Sequence, residues 1–237
     1  MQNVLVLVVL VVVGGAVYLA VARRAKGKQA QQLEEARSAG WQFTSLQRGS
    51  TSGHEYRGVE EGISWQMEAT RTILQAASYQ GSDTTDKYET RWFSEAGAIP
   101  EGLILLGSRP GGTASPVKMG DLGGRLVQAA LRVMVGEEAA EMPALKEMSL
   151  PAQLQKRYMG YAHDRLLAQR MFTGEVEELL AAWPEKYPLV VKINRLRAEV
   201  RVDHHQLREM ETLKHLVSLG VQIVRALQGS EIDQARG

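Results

Sequence analysis

The chain has 237 residues, 44% hydrophobic and 23% charged, a balance typical of a folded globular protein. Its net charge of +1 hides an asymmetry: four of the 28 Lys and Arg fall within residues 23–28, and from residue 29 onward 24 cations stand against 27 anions. That distribution argues against nucleic acid as a partner, since phosphate binding needs clustered positive charge. The absence of cysteine excludes disulfides, thiolate nucleophiles, Cys-ligated zinc and iron–sulfur clusters.

Residues 4–22 read VLVLVVLVVVGGAVYLAVA, without a formal charge. At about 1.5 Å per residue they make a helix roughly 28 Å long, the thickness of a bilayer's hydrocarbon core. The expectation is a single transmembrane anchor over 1–28. No cation precedes the apolar run, and the run exceeds that of a signal peptide, although Ala20-Val21-Ala22 imitates a cleavage site. Arg23, Arg24, Lys26 and Lys28 follow at once. Cations are held on the cytoplasmic side, so the N-terminus is expected outside and the remaining chain in the cytoplasm, at the inner membrane of a bacterial-type cell. The lipid bilayer is then one partner, and other membrane proteins are the natural others. Gly14-Gly15 lacks the G-x-x-x-G spacing of a helix-packing motif.

Residues 29–40 carry good helix formers and end at Gly40, which predicts a juxtamembrane helix. The 41–229 segment is expected to be an α+β domain, with sub-boundaries conceivable near 107–124 or 150. Trp41-Gln42-Phe43 and His54–Val59 read as strands. Ile63, Trp65, Met67 and Ala69 alternate with polar neighbours, the period of a half-buried strand, and Glu60-Glu61-Gly62 reads as its hairpin connection. Gln80–Asp86 has the composition of a loop. Tyr88, Thr90 and Trp92 alternate again. Leu103–Leu106 reads as a strand covered on both faces.

Residues 107–124, with six glycines and two prolines, predict a long connection. Their glycines match neither the G-x-x-x-x-G-K-[ST] nor the G-x-G-x-x-G phosphate loop. Residues 122–135 have helical periodicity, and 137–147 are helical by composition though broken by Pro143. A strand over 155–162 and a short helix over 163–169 follow. A helix begins after Thr173, with Val176, Leu179, Leu180 and Trp183 on one stripe. Leu189–Ile193 and Leu196–Val202 read as strands joined at Asn194-Arg195. Asp203 and Gln206 suit a capping box for a helix over 204–228, with Leu213, Leu216, Val217, Gly220, Val224 and Leu227 as its stripe and Gly229 as its stop. Residues 230–237 are expected to be a disordered tail. Without βαβ alternation, the fold class expected is α+β: a transmembrane helix, then a mostly antiparallel sheet with helices on one face.

Chemistry-bearing residues are sparse. His205 with Glu209, and Glu211 with His215, have i,i+4 spacing, and His204 adjoins them. Each pair offers a metal two ligands and no third, and neither matches H-E-x-x-H. His163-Asp164 sits where capping explains it, and no G-x-S-x-G elbow places a nucleophile. Trp41, Trp65 and Trp92 fall on expected strands and Trp183 on a helix stripe, where core packing is the expectation and an aromatic ligand pocket the other reading. No catalytic or cofactor-binding residue is assigned, and no cofactor is expected. The leading expectation is a membrane-anchored, non-enzymatic interaction or accessory protein, of the kind that serves as a subunit of a membrane complex. A membrane-tethered ligand-binding or sensory domain is the alternative, and a hydrolase or metal enzyme the third.

Overall fold

A computed structural model describes residues 27, 30–78, 81–109 and 145–234, with side chains described outside 76–83 and 230–234. The expected membrane helix, the four cations Arg23, Arg24, Lys26 and Lys28, and the expected elements between residues 110 and 144 lie outside the described residues. Among those described, no helix is long and apolar enough to cross a membrane.

The protein is an α+β fold built on one nine-stranded sheet. Its strands are β1 (Gln42–Arg48), β2 (Thr51–Glu60), β3 (Ile63–Ser78), β4 (Gly81–Ser94), β5 (Ile104–Ser108), β6 (Lys146–Glu147), β7 (Tyr158–Ala162), β8 (Leu189–Ile193) and β9 (Ala198–Asp203). The order is β1-β2-β3-β4-β9-β8-β5-β7-β6, and every pairing is antiparallel. Strands from both sides of residues 110–144 therefore belong to one sheet.

Helix α1 spans residues 30–38. Helices α2 (Arg165–Arg170), α3 (Gly174–Ala182) and α4 (Met210–Gln234) come from the second half. The alternating residues Trp65, Met67, Trp92, Val191, Val200 and Val202 join Leu213, Leu216, Val217 and Val224 of α4 in a single core. Ala36 of α1 is fully buried in the same core. Fully burying an aliphatic or aromatic side chain contributes about 1.5–3 kcal/mol, so this face holds the fold together.

Local chemistry explains the turns. Glu60 pairs with Ile63, leaving Glu61 and Gly62 as a two-residue connection with φ of 51° and 81°. Both values lie in the left-handed region that a type I′ hairpin turn demands. Asn194 accepts hydrogen bonds from the Leu196 and Arg197 amides at 2.9 and 3.1 Å, closing the β8–β9 turn. Asp164 caps α2 through the Leu166 and Leu167 amides, and Thr173 caps α3 through the Val176 amide.

Four expectations are corrected. Gln80–Asp86 is not a loop: from Gly81 onward it is β4, zipped against β3 as far as Ser78↔Gly81. Its polar composition hid a strand selected by backbone pairing and not by a hydrophobic period. Lys146-Glu147, expected to be helical, is the short edge strand β6. Asp203 does not cap the last helix. It ends β9, and residues 204–209 are tied down before the helix starts: Thr90 donates to the His205 carbonyl and accepts from the Leu207 amide, and Gln206 donates to the Ala69 carbonyl. Gly229 does not stop α4, which continues to Gln234 and takes in the first part of the expected tail; residues 235–237 lie outside the described residues.

Helix α4 is also buried more completely than its stripe implies. Leu219, Val221 and Ile223 are as inaccessible as Leu216 and Val217. The added burial comes from two sides: the sheet lies against one, while α2 and α3 flank the helix. Gly220 lets it approach closely: a Cβ there would stand 2.5 Å from the Trp92 ring.

Candidate interaction surfaces

The candidate metal ligands are spread over different structures. His204 and His205 precede α4 in the 204–209 connection, with His204 at a φ of 63°. His205 makes an edge contact with the Tyr187 ring at 4.9 Å. His215 lies on α4, where its Nε2 is 2.9 Å from the Leu179 carbonyl and its ring meets Trp183 at 5.2 Å. Glu211 pairs with Lys214 at 3.0 Å, and Glu209 accepts from Thr212 at 3.4 Å. Among the described residues no group of three or more His, Asp or Glu is placed to hold a metal ion. The i,i+4 geometry for His205 and Glu209 required a helix reaching back to residue 204, and that helix begins at Met210.

His163 is packed beside Gly102, where a Cβ would lie 2.9 Å from its Nδ1. Asp164 is the α2 cap described above, its Oδ1 accepting from the Leu166 and Leu167 amides. The four tryptophans are core residues, none more than 8% exposed. Trp41 stands edge-on to Trp65 at 5.1 Å and to Tyr56 at 6.2 Å. Tyr56, buried in this cluster, has its phenol pushed up to about 12, chiefly by burial. Tyr158 is likewise pushed up to about 12 by burial, its hydroxyl donating to the Leu180 carbonyl at 2.9 Å. These groups are held in their neutral, structural form.

The face of the sheet opposite the helices is an ion-pair lattice that motif reading did not find. Cross-strand register places Glu55, Glu68, Arg91 and Arg201 in one row over β2, β3, β4 and β9. Arg91 meets Glu68 at 2.8 Å, Arg57 meets Glu55 at 2.5 Å, and Arg48 reaches Glu55 at 3.7 Å and Glu68 at 3.8 Å. Arg197–Glu199 at 2.7 Å and Arg201–Asp203 at 2.9 Å extend the pattern. Phe93 lies between Arg91 and Arg197, whose guanidinium carbons stand 5.5 and 4.6 Å from its ring centroid. A groove of about 250 Å³, lined by residues including Arg48, Glu68, Glu89, Arg91 and three threonines, runs across it. Its charges are matched within the lattice, and Glu55 and Glu199 are buried in it, which gives the face a mixed-sign character. The sequence signal was present as period-two alternation of charged residues, legible only once register is known.

The second surface is a two-stranded ribbon. Strand β3 has β2 beside it as far as Thr51↔Thr72, and β4 has β9 beside it from Glu89↔Asp203. Beyond those points, among the described residues, β3 and β4 pair with each other alone, from Ile73↔Asp86 to Ser78↔Gly81. At about 3.3 Å per residue the ribbon stands roughly 20 Å beyond the sheet. Its base carries an Arg71–Asp86 pair at 2.8 Å, with Tyr88 also donating to Asp86. The hydrogen bond from Arg71 holds the Asp86 carboxyl below the ordinary carboxylate value. Ile73 is 37% exposed and Leu74 49%.

No family model, curated protein or solved structure matches this chain. The fold and its surfaces define it as an antiparallel α+β protein with a projecting ribbon.

Proposed function

We propose that the protein is a single-pass, membrane-anchored interaction protein, non-enzymatic in kind, that serves as an accessory or subunit of a membrane complex. Its N-terminus lies outside and residues 41–229 lie in the cytoplasm of a bacterial-type cell. The anchor is supported by the uncharged run 4–22, and the orientation by Arg23, Arg24, Lys26 and Lys28. The observation that carries the interaction reading is the ribbon. A two-stranded hairpin without further strands is marginal in water, and this one exposes Ile73 and Leu74 at its base. Such a feature suits a surface that is completed by a partner.

The test is purification of the full chain from native membranes in mild detergent, beside an Ile73→Ser/Leu74→Ser variant. A stoichiometric complex that the variant loses supports the reading. A protein recovered alone in both forms overturns it and leaves ligand binding as the better account. Protease added outside intact cells is expected to leave residues 41–229 uncut; digestion reverses the orientation.

A further inference from the structure

The ribbon's two free edges differ. The β4 edge, 81–88, carries Asp83, Asp86 and Lys87. Edge charges of this kind discourage the addition of another strand. The β3 edge beyond Ile73 reads Leu74-Gln75-Ala76-Ala77-Ser78, with no charge, no proline and no glycine. Its own sequence carries none of the charges, prolines or bulges that protect an edge, and among the described residues no strand pairs with it.

Backbone direction follows from one bond. The Ile73 amide donates toward β2, to the Ser50 carbonyl at 3.0 Å. In an antiparallel strand alternate residues present both N–H and C=O to the same side. Gln75 and Ala77 therefore offer their backbone groups to the side where β2 has ended.

We infer that this edge pairs with the same edge of a second copy of this chain, antiparallel about a two-fold axis at Ala76. That register sets Gln75 opposite Ala77 of the other copy and Ala77 opposite its Gln75, each pair exchanging N–H and C=O bonds. It places no charge against a like charge, which two β4 edges do not achieve as readily. Pairing also extends strand coverage past Leu74. So short a contact falls below the roughly 1,200 Å² that a stable soluble dimer buries. The inference thus rests on the anchored reading: copies confined to one bilayer meet at a high effective concentration.

The chain's lack of cysteine gives the test a clean background. Ala76→Cys is introduced into the full-length protein and oxidised mildly in native membranes. Residues directly opposite in such a ladder lie about 4.5–5.5 Å apart at Cα, within disulfide reach. Leu74→Cys is the control, because the same axis holds its two copies about 13 Å apart, four residues out of register. The expected result is at least ten-fold more linked dimer from Ala76→Cys. Adding Gln75→Pro, which removes a donor from the free edge only, is expected to abolish the link. Equal linking at 74 and 76, or preferential linking of Thr44→Cys on β1, overturns the register. A disulfide from Ala76→Cys to a different protein overturns self-pairing and leaves the interaction reading standing. No adduct anywhere, with native complexes indifferent to Gln75→Pro, overturns both.

Discussion

Strand β4 changes surroundings halfway along its length. From Glu89 to Ser94 it has β3 on one side, β9 on the other and α4 across its face, and Trp92 is fully buried. From Gly81 to Lys87 its partner among the described residues is β3 alone. One pairing rule therefore produces two materials: a packed core, where side chains hold the strands, and a ribbon, where the described links are backbone bonds and the Arg71–Asp86 pair at its base. Function is best sought where the second condition holds, because a strand pair left without a core is an opening for a partner.

The sharpest way to break the packed half is Trp92→Ala. Removing a fully buried Trp beneath the central helix is expected to cost about 3–5 kcal/mol, read as a fall in the urea midpoint with an unchanged slope. A loss under about 1 kcal/mol contradicts the packing assigned to α4. Gly220→Ala approaches the same contact from the helix side. Its Cβ meets the Trp92 ring at 2.5 Å, and overpacking of this kind costs about 1–3 kcal/mol. An equally stable Gly220→Ala protein would mean that α4 sits farther from the sheet.

His54 tests the outer, aromatic part of the covered face by pH. It stacks on Phe43 at 5.1 Å, and its Nδ1 is buried without a partner. Burial, reinforced by Arg208, holds its imidazole below the ordinary 6.5. Between that lowered value and 6.5 the unfolded chain binds a proton that the folded chain refuses. Stability must therefore fall as pH drops through that window. Thermal melts at pH 7.5 and 5.0 are expected to show a smaller acid loss in His54→Phe than in wild type; equal losses remove His54 from the account.

The covered half was the legible half. The alternation Ile63, Trp65, Met67 and Ala69 and the apolar run Leu103–Leu106 announced strands because a core sorts side chains by face. The α4 stripe was visible too, but its burial on the far side was not, since that depends on where α2 and α3 dock. Gln80–Asp86 has the composition of a loop, and a strand selected by pairing with β3 leaves no hydrophobic period to show it. The candidate site suffered similarly. His205 and Glu209 looked like helical neighbours, but Thr90 and Gln206 hold the 204–209 connection in a different path, through contacts 115 and 137 residues apart. Charges on the open sheet face were legible as composition and became a lattice only through register.

The ribbon half is sharpened by changes expected to leave global stability alone. Ile73→Ser/Leu74→Ser is expected to move the unfolding free energy by no more than about 0.5 kcal/mol per site, since both side chains are already partly in water. A large loss would place them in the core and reduce the contrast between the two halves of the strand.

Asp86→Asn acts more finely. The carboxylate accepts from Arg71 and Tyr88, and those bonds hold its pKa below the ordinary 3.8. A carboxyl with a depressed folded value contributes its stabilisation above 3.8 and loses it as pH falls through the lower value. In wild type the ribbon base should therefore stay closed at neutral pH and loosen in acid; in Asp86→Asn it should be loose at both. The readout is amide exchange of residues 73–86, corrected for intrinsic rates, with the β4–β9 amides as the internal reference. Exchange that is identical in both proteins at neutral pH means that backbone pairing alone closes the ribbon. Faster exchange confined to 73–86 shows that this pair, and not the core, holds the ribbon in the shape a partner meets.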